Sequence, residues 1–276
     1  MGKALYEAFP SARAVFDEAD DALSQHLARL IFEGPDETLK LTANTQPAIM
    51  TTSVAALRAL ENELDVKLSP ACGAGHSLGE YTALVASGVL AFRDAVDLVN
   101  KRGRWMQESA PEGVGAMAAV MGLEPADIVA VCREVAPNEE CQAANFNSPG
   151  QVVISGIAEY VDRAVAAAKA RGARKAVMLN VSAPFHSRLM MPAAEKLKAQ
   201  FETYAWSDPR WPIVANVSAR PVSTVADIKA ALYAQTFSPV LWSDSVAFMA
   251  DDGVDTFLEL GPGITKIGRA SCRERV

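Results

Sequence analysis

Apolar residues recur every three to four positions through most of the first 64 residues, the spacing that gathers them on one side of a helix. The pattern predicts a helix over 1–8, a second opening at Phe9-Pro10-Ser11, and helical structure on to Leu64. Pro10, Gly34-Pro35 and the stretch 44–47 punctuate it. Residues 69–74 are small and read as the end of a buried strand. A helix is expected over 78–87, closed by Gly88, and another over 92–106. The composition changes after Pro111-Glu112-Gly113. Beyond that point 114–121, 142–146, 151–155 and 175–181 read as strands, and 125–135 and 158–171 as helices. This β-α-β-β-α-β order is the signature of a ferredoxin-like unit. A helix over 189–205, a strand over 213–216, helices over 225–235 and 241–250 and a strand over 256–260 follow. There is no internal repeat and no low-complexity segment.

The chain has 276 residues, 50% of them hydrophobic, enough for one large domain or two unequal ones. Lys and Arg total 26 against 33 Asp and Glu, a net charge of −7. That argues against nonspecific nucleic-acid binding and leaves room for a local basic patch. No apolar run is long enough to span a bilayer and no signal peptide is visible. Cys72, Cys132, Cys141 and Cys272 form no C-x-x-C pair, which points to a reduced, cytoplasmic setting without a structural metal. Both ends look atypical. No buried strand precedes the first helix, so N-terminal truncation is expected. Residues 267–276 lack apolar periodicity and resemble the conceptual translation of a short-read sequencing adapter. They are expected to be a non-native tail, which genomic sequence across the junction tests.

Gly75-His76-Ser77-Leu78-Gly79 is a G-x-S-x-G pentapeptide between an expected strand and an expected helix. That context fits a nucleophile elbow, a sharp turn with strained backbone angles in which the glycines give room. The helix start behind Ser77 would direct free N–H groups at a developing oxyanion. A serine nucleophile needs a base, and there are three histidines. His26 reads as a partly exposed helix residue, and the side chain of His76 should be directed away from that of Ser77. His186, in Ala183-Pro184-Phe185-His186-Ser187, sits at a strand-to-helix junction and is the candidate base; the alternative is a structural, hydrogen-bonded histidine. Asp94, Asp97, Asp127 and Asp162 lie between serine and histidine, but none stands out as an orienting acid. A backbone carbonyl is the other way to orient the imidazole. Lys101-Arg102-Gly103-Arg104 closes the helix begun at Phe92. Its cations are either dipole complements on a solvated face, or one arginine enters the cleft and grips a carboxylate.

The segment from Gly75 to Tyr81 resembles the nucleophile segment of malonyl-CoA:acyl-carrier-protein transacylases of fatty-acid synthesis. Lys101-Arg102-Gly103 with Met106-Gln107, the stretch from Asn145 to Gln151, Val181 to Ser187, Thr45-Gln46-Pro47-Ala48 and Leu260-Gly261-Pro262-Gly263 agree in order. The resemblance covers 1–266. It implies an α/β fold, with an α/β-hydrolase-like core of 1–112 and 182–266 and an inserted ferredoxin-like subdomain over 113–181. It implies that Ser77 is acylated by malonyl-CoA, with His186 as base and then acid, and that the phosphopantetheine thiol of acyl carrier protein takes the malonyl group. Arg102 would pair with the free carboxylate and Leu78 N–H would serve the oxyanion. Gln46 and Asn145 would line the substrate site, and the Gln235 carbonyl would orient the histidine. No cofactor is implied, and neither nucleic acid nor membrane is a partner. Arg188, Lys196 and Lys198 are candidates for docking the acidic carrier protein. The family opens with a strand and a G-Q-G-S-Q loop whose last glutamine gives a second oxyanion donor, and its C-terminal helical sequence is also absent. Losing such a donor costs about 10²–10³-fold in rate, so this fragment is expected to be weak or inactive. The competing readings are a polyketide synthase acyltransferase domain fragment, a serine hydrolase or thioesterase, and a non-enzymatic binding module.

Overall fold

The computed structural model describes residues 1–111, 113–181 and 183–262; the expected non-native tail lies outside them. Five helices lead: α1 (Lys3–Ala8), α2 (Pro10–Leu23), α3 (Leu27–Glu33), α4 (Asp36–Lys40) and α5 (Thr42–Glu63). Then come β1 (Gly73–Ala74), α6 (Leu78–Ser87) and α7 (Phe92–Glu108). The next block is β2 (Gly115–Met121), α8 (Pro125–Val135), β3 (Cys141–Ser148), β4 (Gln151–Ile157), α9 (Ala158–Ala170) and β5 (Lys175–Met178). A short 3₁₀ turn at Arg188–Met190 leads into α10 (Met191–Phe201), β6 (Ile213–Ala215), β7 (Arg220–Val222), α11 (Val225–Gln235) and α12 (Trp242–Asp251). No helix of the described residues is long and apolar enough to cross a membrane.

Two sheets organise the molecule. In the larger α/β core, β1 pairs in parallel with β6, and β6 antiparallel with β7. The inserted block forms a four-stranded antiparallel sheet in the order β3-β4-β2-β5, the ferredoxin-like arrangement. Alternation along its strands decides which side each residue serves. Ala118, Val120, Val152 and Ile154 pack with Ile128, Val131 and Val161 of α8 and α9. Met117, Ala119, Ala144 and Val153 face the other way and meet Phe185. The main core joins Phe16, Met50, Leu84, Leu98, Phe201 and Leu232, which come from α2, α5, α6, α7, α10 and α11.

Four expectations need correction. The stretch 44–47 does not interrupt the helices: Pro47 lies inside α5. A proline leaves the carbonyl four residues earlier without its helical donor, and here Asn100 Nδ2 donates to that Ala43 oxygen at 2.9 Å. Lys101 to Arg104 do not close their helix, because α7 continues to Glu108. His26 stands just outside a helix, as the exposed residue before α3. Finally, 256–260 forms no ladder among the described residues, while the three-residue β7 went unforeseen. A strand of that length carries too few positions for alternation to register.

Candidate active site

Ser77 sits between β1 and α6 with φ 53° and ψ −103°, a costly conformation for a residue with a side chain. The pentapeptide explains how the turn is reached. A Cβ at position 75 would lie 2.0 Å from the Gly79 backbone, whereas one at 79 would meet nothing within 4 Å. Gly75 is therefore the glycine that the turn demands for space. Asn216, directly after β6, clamps the turn from both sides: Oδ1 accepts from Ser77 N at 2.7 Å, and Nδ2 donates to the Gly75 carbonyl at 2.8 Å. Because β1 and β6 run parallel, the turn and its clamp both emerge at the carboxyl ends of these strands, where α/β proteins place their ligands. With Ser77 N occupied, the next backbone donor without a partner among the described residues is Leu78 N. It is the first residue of α6, where helix geometry offers no intrahelical acceptor.

His186 reaches this point from the loop after β5. Gly115 of β2 admits that loop: a Cβ there would lie 2.3 Å from Pro184. His186 is 3% exposed with φ 56°. Its Nδ1 is 2.8 Å from the Gln235 carbonyl, and its Nε2 is 2.8 Å from Ser77 Oγ. A carbonyl only accepts, so Nδ1 carries the proton and the Nε2 lone pair faces the serine hydroxyl. Burial, aided by the Arg102 charge, lowers the imidazole pKa to about 4, which keeps the ring neutral near pH 7. His76 points elsewhere, with Nε2 2.8 Å from Asn147 Oδ1 and its ring against Trp242.

Arg102 is 1% exposed in the last turns of α7. The helix can come this close to α5 because residue 103 is glycine; a Cβ there would lie 2.5 Å from the Thr42 carbonyl. Nη1 donates to Gln46 Oε1 at 2.6 Å. Nη2 donates to Gln235 Oε1 at 2.9 Å and to Ser77 Oγ at 3.1 Å. The guanidinium lies 5.2 Å from the Tyr81 ring centroid, and its Nε is buried without a partner among the described residues. Its neighbours Lys101 and Arg104 turn to Asp97 and Asn100 instead. Gln46 thus acts on the guanidinium, with Nε2 tied to Thr42. Asn145 sits at a register shift in β3, beside Val240. Among the described residues its side chain makes no hydrogen bond to Ser77, His186 or Arg102. Among the described residues no carboxylate supports His186, so Asp94, Asp97, Asp127 and Asp162 stay outside the constellation.

Two participants escaped the sequence reading. Asn216 is one. The other is Glu80, fully buried, whose Oε2 accepts from Gln235 Nε2 at 2.9 Å and from Asn216 N at 3.1 Å. Burial pushes its carboxyl pKa up to about 7, against the lowering pull of Gln235, Asn216 and Arg102. A carboxylate in the first turn of a helix reads as a dipole complement; the signal available was its setting in the apolar run Leu78-Gly79-Glu80-Tyr81-Thr82-Ala83-Leu84. Asn216 could have been noticed as a polar side chain ending a strand beside the elbow strand.

Residues 1–265 match the family model described as acyl transferase domain. The chain is 48% identical to a malonyl CoA-acyl carrier protein transacylase of Bacillus subtilis strain 168, over 95% of this chain and 82% of the relative. It superposes with a TM-score of 0.94 on an acyl-carrier-protein-S-malonyltransferase from Bartonella henselae, 44% identical, covering 98% of this chain and 86% of that one. A malonyl-transacylase solved in complex with a type II PKS acyl-carrier protein gives a TM-score of 0.92 at 44% identity, over 96% and 85% of the two chains. The serine elbow, its histidine and the buried guanidinium thus stand in a chain that belongs to the acyl transferase domain family and, within it, to the malonyl-CoA:acyl-carrier-protein transacylases.

Proposed function

We propose that this chain transfers a malonyl group from malonyl-CoA to the phosphopantetheine thiol of an acyl carrier protein, by a ping-pong route through malonyl-Ser77. The observation that carries the reading is the meeting of Ser77 Oγ with a neutral imidazole at 2.8 Å and a buried guanidinium at 3.1 Å. The malonyl relatives and the carrier-protein complex of the related transacylase support it. His186 Nε2 takes the Ser77 proton as Oγ adds to the thioester carbonyl, whose electron pair moves onto oxygen towards Leu78 N–H. Collapse breaks the C–S bond, and His186 returns the proton to the departing CoA sulfur. In the second half the carrier thiol gives its proton to Nε2 and attacks; the C–O bond breaks and Ser77 Oγ recovers the proton.

Arg102 supplies selectivity in this scheme. A free serine occupies one of its Nη2 donors. Acylation turns that oxygen into an ester, a poor acceptor, and releases the donor to the malonyl carboxylate. An acetyl group would leave the buried donors unpaired, a cost of about 1–3 kcal/mol or more for a charged group. The substrates, together with the free thiols of Cys72, Cys132 and Cys141, support a cytoplasmic setting. The test is mass-spectrometric and radiochemical detection of malonyl-enzyme from labelled malonyl-CoA. Wild type should carry label at Ser77, and Ser77→Ala none. Arg102→Ala should lose about tenfold or more in malonyl loading relative to acetyl loading. A full malonyl preference in Arg102→Ala would remove the assigned role.

A further inference from the structure

Arg102 is a buried cation, and the catalytic steps assign it no resting partner of opposite charge. The structure contains one. From Arg102 Nη2 a bond of 2.9 Å reaches Gln235 Oε1, and from the other end of that amide a bond of 2.9 Å reaches Glu80 Oε2. The amide cannot turn round. Its Nε2 donates to the Ser77 carbonyl as well as to Glu80, so reversal would set oxygen against two acceptors. Glu80 therefore fixes which end of Gln235 faces the guanidinium. On the far side Gln46 presents its own Oε1, at 2.6 Å. Two amide oxygens and one remote carboxylate hold the arginine in a site without a second buried anion among the described groups that act on it.

We propose that Glu80 is the resting counter-charge of Arg102 and a positioning residue for acyl selection: through Gln235 it holds the guanidinium, and its negative charge opposes capture of a malonyl carboxylate until Glu80 takes up a proton from solvent. This rests on the malonyl-transfer reading above. The physical reason is that two carboxylates cannot both lean on one buried cation at no cost. By linkage, whatever favours protonated Glu80 favours malonyl binding, and the converse. The groups around Glu80 leave it alone to titrate near neutrality. Arg102 faces it from α7 and stays charged. Tyr81, beside it on α6, is pushed up to about 12 by burial. Asn216 and Gln235, from the end of β6 and from α11, are neutral amides, as is Gln46 from α5. His186, beyond Gln235, gains its proton only near pH 4.

The experiment is single-turnover formation of malonyl-Ser77 and acetyl-Ser77 at pH 6 and pH 8, comparing wild type with Glu80→Gln. Acetyl-CoA carries the same phosphates as malonyl-CoA and controls for their titration. Gln at position 80 keeps an acceptor for Gln235 and Asn216 while removing the charge. The half-saturating malonyl-CoA concentration of Glu80→Gln at pH 8 should lie about tenfold below that of wild type, and the two should converge at pH 6. A merely structural role predicts weakening, so equal or poorer malonyl capture by the variant at pH 8 overturns the proposal. Wild type alone gives a second measurement should the variant not fold. Its half-saturating malonyl-CoA, referred to acetyl-CoA, should fall about tenfold from pH 8 to pH 6, and a flat ratio overturns the proposal. Absence of any malonyl-enzyme in wild type would instead overturn the functional reading beneath it.

Discussion

The proposed nucleophile and base, Ser77 and His186, both have positive φ, 53° and 56°. Such backbone costs of order 1–3 kcal/mol at each position, and the surroundings must hold it. At Ser77 the Asn216 amide does so; at His186 the Gln142 Nε2 donates to the peptide oxygen at 3.1 Å while Nδ1 is anchored on Gln235. The burial that fixes the imidazole also lowers its pKa to about 4. The rate constant for malonyl-serine formation at saturating malonyl-CoA should therefore rise with a midpoint near pH 4 and be level from pH 6 to 8. Rapid-quench measurement across that range checks it, and a midpoint near the ordinary histidine value of about 6.5 would show a solvated base. Ser77 stands out among many serines through its G-x-S-x-G setting, and His186 as one of three histidines, placed at a strand-to-helix junction. Glu80 and Asn216 carry fainter signals. Their contacts run across 136 and 139 positions, so an acid in an apolar run and an amide at a strand end do not say locally what they will meet.

Elements meet closely here at points that glycine and proline prepare. The α5–α7 crossing needs Gly103 to approach the Thr42 carbonyl, and it brings Asn100 over the Ala43 carbonyl that Pro47 leaves unpaired. The pattern marks Pro47 as a break because a proline inside a helix forfeits a hydrogen bond; the replacement donor stands 57 positions from the Ala43 carbonyl. Asn100→Ala should destabilise the fold by about 1–3 kcal/mol, the cost of an orphaned, partly buried carbonyl. In a Pro47→Ala background, where position 47 regains its N–H, the same substitution should cost distinctly less. Denaturant unfolding of the four proteins measures that coupling, and equal costs in the two backgrounds would disprove the compensation. The helices themselves were plain from periodicity because their apolar faces are long. Of the core strands, those expected over 69–74 and 213–216 correspond to β1 and β6, of two and three residues, and the three-residue β7 has no counterpart in the pattern. Their sheet is built by pairing across distant segments, which alternation cannot report.

At the scale of the whole molecule, the ferredoxin-like block was legible because each of its four strands is set off by turn residues and its two helices are amphipathic. How it attaches was not. The edge of β3 bonds to Val240, Leu241 N donates to the Asn216 carbonyl, and His76 meets Asn147. The inserted sheet is thereby joined to the elbow and to its clamp. This arrangement leaves the His186 loop running straight into the exposed Arg188 and then α10, with Lys196 and Lys198 on its outer side. Arg188 pairs with Glu139 at 2.7 Å and Lys196 with Glu108 at 2.9 Å, both pairs solvent-exposed. Such pairs are worth little, at about 0–1 kcal/mol, so an acidic carrier can recruit these cations without a large penalty. The docking proposed there would belong to the second half-reaction alone. Arg188→Glu should lower kcat/KM for the carrier protein by about tenfold at low salt, with the difference shrinking as ionic strength rises. The burst of malonyl-Ser77 from malonyl-CoA should keep its amplitude, because the Arg188 side chain turns to Glu139, and the backbone N–H that Arg188 gives to Gln142 survives the substitution. Measuring the two half-reactions separately decides the matter. A loss shared equally by both would mean that Arg188 holds the histidine loop, and a loss in neither would move the carrier to another face.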